Sequence, residues 1–535
     1  MKNNKVINII YISSIVLLSI HLIVYIMSLS KVLMNSDSAF IVDYALEAIK
    51  YKSFFPKNWV NSNDFWIYSL IPLIIPVLVI TKGTHLFLAR QIAVLIQTFL
   101  LFLLLYDLFK NYIGVKRKNN NSWKIIFLLL LSGVSGQFFF ELYGDATYGS
   151  IILYMVLEIW LYFKYLKTTK KRYIIVFGII LTLLTACSLR FPIFIGAPMI
   201  CCLLFNLYNS FSNNLKVKKR EFKKNVYLFI FIIIGLSVGF LLHKLLSYSL
   251  LYNSNLQKYL IGDIEEFESN ISFVLYNYLI LNGGSGLNVF SLTTSYSDVI
   301  QVSNPLIIIP FIRVIFALLV LLIPFILIDK YKKLDIYEKN IFIYTFSFGF
   351  ILIFFLVFGN LAAWLRYLTP VLFFLILLIP LFYSVYCINK KSKTIFWLFI
   401  ILFSLSGLIK VIFSYYDITA KRLRYNNIQK ISDLLVENGY SVGYTFEHNE
   451  YSLYRLLSED KLIVFRLTDD GKSPLYWANS LDWFTEDFYK GKTFFIRRNF
   501  QNSLPFEEEA VDFCEIGEFY IFFFEDKSVI FDNTD

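Results

Sequence analysis

The sequence predicts an all-α polytopic membrane bundle of about eleven transmembrane helices, with a small extracytoplasmic α/β domain at its C-terminal end. Three observations carry that prediction. Hydrophobic residues make up 57% of the chain and charged residues 17%, with a mean hydropathy of +0.61, against about 45–50% apolar and about 25% charged in soluble globular domains. Apolar runs of bilayer length recur through the first 415 residues. Beyond residue 415 the chain turns polar, with 13 basic residues against 22 acidic ones.

The expected spans are 6–29, 84–109, 125–142, 148–166, 173–189, 191–209, 226–249, 305–328, 340–358, 366–388 and 394–415. Residues 6–29 could serve as a signal peptide, but no small-x-small cleavage site precedes Lys31, so the run reads as a retained span. Between the spans lie short basic loops: Lys110 to Lys124 holds five basic residues, Lys164 to Arg172 five, Lys216 to Lys224 six, Lys330 to Lys339 four and Lys390 to Lys393 three. These account for the net charge of +11 as a positive-inside signal and not as a nucleic-acid surface. The apolar stretch 67–80 holds Pro72 and Pro76 and is short for a crossing. Counting it as a span would put every later basic loop outside. It therefore reads as an interfacial or re-entrant segment, with the N-terminus cytoplasmic and the C-terminal domain outside. The five cysteines show no metal-ligand spacing.

This topology turns 30–66, 141–149, 189–192, 251–304, 359–370 and 416–535 outward. The first of these carries "NSDSAFIVDYALEAI" (35–49), whose polar and apolar residues alternate at helical spacing, as in an amphipathic helix on the bilayer surface. Asp37 sits at its start, where a carboxylate can cap the helix or do chemistry. Asp43 and Glu47 read as a solvated face of the same helix. Glu141 and Asp145 share the turn "ELYGDATYG".

A second group is cationic. Arg90, Arg190, Arg313, Arg366 and Lys244 each fall near the outer end of an apolar span, where an arginine either snorkels to headgroups or faces the bundle interior and a partner. A phosphate held at the outer leaflet would suit a guanidinium fork. Glu158, midway through the fourth span, could pair with one of these cations or be a structural acid.

An N-in bundle of about eleven spans, an acidic first external loop, "SFFPKNWVNSNDFW" (53–66) leading into a Pro-broken apolar segment, and "WLRYLTP" (364–370) opening a late span together resemble the GT-C superfamily of membrane glycosyltransferases. Protein O-mannosyltransferases and the lipid A aminoarabinose transferase belong to it. The resemblance covers residues 1–415 in architecture. It implies an aspartate base in the first external loop, matched by Asp37, with Asp43 and Asp64 as alternatives. It implies an arginine at the membrane edge on the donor phosphate, matched by Arg366 in "LRY" beside Tyr367, with Arg190, Arg90, Arg313 and Lys244 as further phosphate ligands. Some relatives place a second acid after the third span, where Glu141 and Asp145 stand here. The paired Asp-Glu of protein O-mannosyltransferases is missing, which argues against a protein acceptor. No cofactor is implied and no metal-ligand set is evident, although Asp37 with Asp145 could hold a divalent ion.

The implied activity is inverting transfer of a sugar from a polyprenyl-phosphate donor to an extracytoplasmic acceptor, a cell-wall or surface glycopolymer of a bacterium. Membrane lipid is a further partner and nucleic acid is not. The loop 251–304, acidic and rich in glycine near 283–286, suits a lid, and Tyr276, Tyr278 and Asn282 suit acceptor binding. In 416–535, "SVGYTF", "KLIVFRL", "KTFFIRR" and "EFYIFFFEDK" read as strands, with helices at 418–438, 450–458 and 479–489. "LYWANSLDWF" (475–484) suits either a core or a carbohydrate face. Lone Cys514 reads as a buried hydrophobe. A lipid-linked sugar flippase or transporter is the alternative, but would show internal repeats and charges along a whole crossing; a non-catalytic envelope polysaccharide assembly protein is the third reading.

Overall fold

The computed structural model describes residues 2–61, 64–113, 122–145, 147–212, 215–250, 264–284, 308–359, 365–387, 389–414, 418–447, 450–467, 479–480, 491–498 and 505–526. Helices follow in chain order as α1 (Lys2–Val24), α2 (Ser30–Leu33), α3 (Ser36–Lys50), α4 (Ile71–Ile80), α5 (Leu86–Asn111), α6 (Ser122–Ser132), α7 (Gly136–Phe139), α8 (Thr147–Thr168), α9 (Lys171–Cys187), α10 (Ala197–Ser212), α11 (Leu215–Ser249), α12 (Ile264–Leu281), α13 (Ile308–Asp329), α14 (Ile336–Phe358), α15 (Leu365–Tyr386), α16 (Lys390–Ser414), α17 (Ile418–Glu437) and α18 (Tyr451–Leu457). Among the described residues nine helices are long and apolar enough to cross a membrane, or ten if α6 and the bent segment after it form one span. The chain is a multi-pass membrane protein. The expected span 173–189 corresponds to α9, which at 17 residues stands at the lower limit for a crossing.

Helix α15 is the centre of the bundle: 89% of its apolar window is buried, and α6, α8, α12, α13 and α14 surround it. Arg366 therefore sits at the end of the most enclosed helix. The expected straight span 125–142 is instead broken, its two halves bent by 99°. The cause is local. Gly133 takes the left-handed conformation at φ +69°, and Ser135 then restarts the helix by accepting the Phe138 amide at 3.0 Å.

Three π-helical turns, Tyr25–Leu29, Phe140–Gly144 and Pro192–Gly196, occur among the described residues. All three lie at one end of the bundle, where α1 ends, α8 begins and α10 begins. Each adds a residue to its turn and re-aims the side chains beside it, a device frequent at functional sites.

Several expectations need correction. Helix α3 is no exposed surface helix: eleven of its fifteen residues are buried, covered by α4 on one side and α18 on another. Asn35, not Asp37, caps it, its side chain accepting the Ser38 amide at 3.0 Å. Segment 251–304 is not a loop throughout, because α12 packs against α13, α14 and α15; its remainder, 251–263 and 285–304, lies outside the described residues. Helix α4 is only ten residues long, with Pro76 inside, shorter than the helices of crossing length.

The C-terminal region forms a five-stranded sheet in the order β3-β2-β5-β7-β6. Its strands are β2 (Val442–Thr445), β3 (Ile463–Arg466), β5 (Thr493–Arg497), β6 (Asp512–Ile516) and β7 (Phe519–Phe524). The first three pair in parallel, and β7 is antiparallel to both β5 and β6. Strand β6 is absent from the sequence reading because its exposed, charged alternation hides a strand period. Cys514, on β6, is half-buried and not enclosed. Where a helix was expected from 479, Asn479–Ser480 forms β4, paired antiparallel with β1 (Trp59–Val60); 481–489 lies outside the described residues.

Candidate functional site

Asp37 projects from the first turn of α3, freed from capping by Asn35. Its Oδ2 accepts from Arg366 Nη1 at 3.2 Å, and the two side chains keep 29% and 39% of their surface exposed. That partial exposure separates this pair from the other acids nearby, which are enclosed. Ser38, the next residue on α3, donates its hydroxyl to Asp145 Oδ1 at 2.9 Å. Glu141, in the π turn Phe140–Gly144, accepts from Gln137 at 2.8 Å and lies within electrostatic reach of Asp37, Asp145 and Arg366. Burial first, and then the Asp37 charge, holds the Asp145 carboxyl above the usual carboxylate range. The site thus gathers three carboxylates from α3 and the 140–145 turn around one guanidinium.

A second ion pair stands beside the first. Arg190, in the turn after α9, reaches Asp64 at 3.3 Å, and Tyr68 donates to the same carboxylate at 3.2 Å. The Phe65 amide donates to the Cys187 carbonyl at 2.8 Å, which fastens the first external loop to the end of α9. Tyr367 lies between the two cations, its ring centre 5.7 Å from the Arg190 guanidinium carbon and 5.8 Å from that of Arg366. Tyr148, at the start of α8, packs edge-on to Tyr367 with ring centroids 6.2 Å apart. Its buried hydroxyl has no hydrogen-bond partner among the described residues.

Other candidates have different roles. Arg90 is fully buried and spends its guanidinium on backbone carbonyls: Nε on Ser38 at 2.9 Å, Nη2 on Gly144 at 2.7 Å and on Asp145 at 2.9 Å. It ties the start of α3 to the 144–145 turn and does not offer itself to a phosphate. Arg313 is also fully buried, stacked 3.9 Å over the Phe403 ring and bonded to the Phe403 carbonyl at 2.8 Å. Lys244 is exposed on the outer face of α11, the snorkelling position. Tyr276 is exposed, whereas Tyr278 is buried with its hydroxyl on the Ala317 carbonyl at 2.9 Å, and Asn282 is buried with its amide on Tyr278. Tyr278 and Asn282 thus serve the packing of α12, whereas Tyr276 stands on its exposed face. Glu158 is fully buried, its carboxylate without a hydrogen-bond partner among the described residues.

Asp43 and Glu47, expected in solvent, face α18. Arg455, only 7% exposed, enters between them at 3.7 Å from Asp43 and 3.4 Å from Glu47, and its Nε also reaches Asp460 at 2.6 Å. The Ser452 amide donates to Ser36 Oγ at 3.3 Å, and Glu459 accepts the Leu86 amide at the start of α5 at 2.8 Å. Tyr451, buried, lies within electrostatic reach of Asp37 and Asp43. The C-terminal region therefore forms one wall of the site. Sequence reading missed Ser38, Tyr148, Tyr451 and Arg455. Only "NSDS" gave a local signal for Ser38, and nothing local marks Arg455, whose partner Glu47 is 408 residues away.

Burial outweighs the Arg455 cation at Asp43 and raises its pKa from 3.8 to about 7. The folded protein then binds a proton that the unfolded chain releases, so stability falls as pH rises from about 4 through about 7. Thermal denaturation in detergent at pH 5 and pH 8 is expected to show the lower midpoint at pH 8, with a smaller difference in Asp43→Asn. An unchanged difference in that variant would remove Asp43 as its source.

Among the described residues no group of three His, Cys, Asp or Glu side chains could hold a metal ion. No family model, no curated protein and no solved structure matches this chain, so the site must be read from its own geometry.

Proposed function

We propose that this chain is a GT-C-type membrane glycosyltransferase that moves a sugar, with inversion, from a polyprenyl-phosphate donor to an extracytoplasmic glycan acceptor of a bacterial envelope. The observation that carries the reading is the half-exposed Asp37–Arg366 pair at 3.2 Å, held at one end of the bundle beside a second arginine and two enclosed acids. The proposed topology has eleven crossings, counting α9 and the bent α6–α7 segment, with the site and the C-terminal domain outside.

In this scheme the donor's lipid tail lies in the bilayer and its phosphate meets Arg366 and Arg190, with Tyr148 and Tyr367 beside them. The phosphate competes with Asp37 for Arg366. Its arrival releases the carboxylate next to the acceptor just as the donor is seated. Asp37 takes the acceptor hydroxyl's proton, the oxygen attacks the anomeric carbon, and the departing phosphate gathers charge where the guanidinium groups already stand. Glu141 and Asp145 are hydrogen-bonding posts near Asp37, the first on Gln137 and the second on Ser38, and no resident metal is required by these roles.

The test is transfer of radiolabelled sugar from synthetic polyprenyl-phosphate sugars to cell-envelope glycan by the purified full-length protein. Asp37→Asn is expected to lower turnover by roughly 10²–10⁴-fold, the usual worth of a general base, with donor binding retained and wild-type transfer persisting in chelator. Undiminished transfer by Asp37→Asn would end the base assignment. Lipid movement between leaflets without any transfer would replace the enzyme by a flippase.

A further inference from the structure

At the end of the bundle opposite the candidate site, α8, α9 and α11 border a cavity of about 340 Å³ whose lining includes Tyr165, Lys171, Ile174, Ile175, Lys223 and Lys224. Its size falls within the roughly 300–1,000 Å³ range of small-molecule sites. The opening has a structural cause. Helices α9 and α11 cross closely where Gly178, Gly235 and Gly239 remove side chains: a Cβ on Gly235 would stand 3.3 Å from the Gly178 carbonyl oxygen, and one on Gly239 would stand 2.7 Å from that of Thr182. The cavity lies to the basic-loop side of this crossing, with α8 residues Tyr165 and Thr169 on its remaining wall.

The lining is divided by chemistry. Buried Tyr165 and Ile174 form the floor, while exposed Lys171 and Lys223 stand at the rim. Among the described residues no acidic side chain contributes to the lining. From the rim, Ile175, Ile179 and Leu183 continue along α9 at spacings of four residues, all exposed at 46–57%. A cationic mouth that runs into an exposed aliphatic track fits a molecule with an anionic head and hydrocarbon tails better than a soluble anion, which has no use for the track.

We propose that this cavity binds the phosphate headgroup of an anionic membrane phospholipid, with Lys171, Lys223 and Lys224 on the phosphate and the acyl chains along Ile175, Ile179 and Leu183. The site is independent of the sugar-transfer reading. Each lysine near an anionic lipid surface contributes roughly a fivefold factor, so removing three is expected to weaken binding at least tenfold.

The experiment is native mass spectrometry of the full-length protein in detergent, titrated with phosphatidylglycerol, phosphatidylcholine or inorganic phosphate. Phosphatidylglycerol is expected to remain bound to wild type. The combined variant Lys171→Gln, Lys223→Gln and Lys224→Gln is expected to lose it, while a control with equal charge change, Lys330→Gln, Lys332→Gln and Lys333→Gln, is expected to keep it. Equal retention by the first variant and wild type, equal binding of phosphatidylcholine, or displacement of the lipid by millimolar inorganic phosphate would each overturn the assignment. Thermal midpoints of both variants within error of wild type show that the comparison is between folded proteins.

Discussion

Arg455→Leu is expected to destabilise the protein by about 3–5 kcal/mol, the usual result of removing one member of a buried charge cluster and leaving its partners enclosed. The side chain is 7% exposed and stands against Asp43, Glu47 and Asp460, and the side chains of Asp43 and Glu47 are almost wholly buried. Without the guanidinium, Asp43 would lose its cation inside the α3–α18 contact and Glu47 would keep only the half-exposed Lys50, 3.6 Å away. The expected readouts are a lowered denaturation midpoint in detergent and faster proteolysis within 418–526. Combining Arg455→Leu with Asp43→Leu and Glu47→Leu is expected to recover much of the loss, because an apolar interface of similar volume no longer strands a charge. A loss below about 0.5 kcal/mol in the single variant would show the cluster to be inessential. Since α3 also presents Asp37 and Ser38, the proposed function implies that a surviving Arg455→Leu protein transfers sugar poorly even where its midpoint permits folding.

Arg366→Ala is expected to reduce turnover by roughly 10²–10³-fold, the scale seen when one donor that stabilises developing charge is removed. Alanine takes away the cation facing Asp37 and, on the proposed function, the contact to the donor phosphate. Arg366→Lys is expected to fall between alanine and wild type, since an ammonium supplies charge without the planar fork. Radiolabelled transfer measured at saturating donor separates the turnover effect from weakened binding. Full activity in Arg366→Ala would remove this guanidinium from the reaction, whatever the identity of the base.

Much of the bundle is legible from residue order alone, because each apolar helix of bilayer length declares itself locally. The break at Gly133 is not, since "LLSGVSG" lies inside an apolar run and a single positive φ redirects it. The coincidence of Asp37 with Arg366 follows from loop alternation: both flank helix ends on the same face of the membrane. The burial of α3 could not be read that way. Its charged face looks solvated until α18 supplies the matching cation, and no periodicity within either segment reports on the other. Arg90 shows the converse limit. A cation near a span end suggested a phosphate ligand, but Nε and Nη2 are spent on three carbonyls that the fold brings together and Nη1 on the Gln91 side chain.

The short pairing of Trp59–Val60 with Asn479–Ser480 and the grip of Arg455 on Glu47 across 408 residues also set an order of events during synthesis. The first loop leaves the ribosome well before its partners and must wait, its two acids uncovered, until 408 further residues have been made and threaded. Nascent chains halted before residue 455 should therefore display a protease-sensitive first loop, and those released after residue 480 should not.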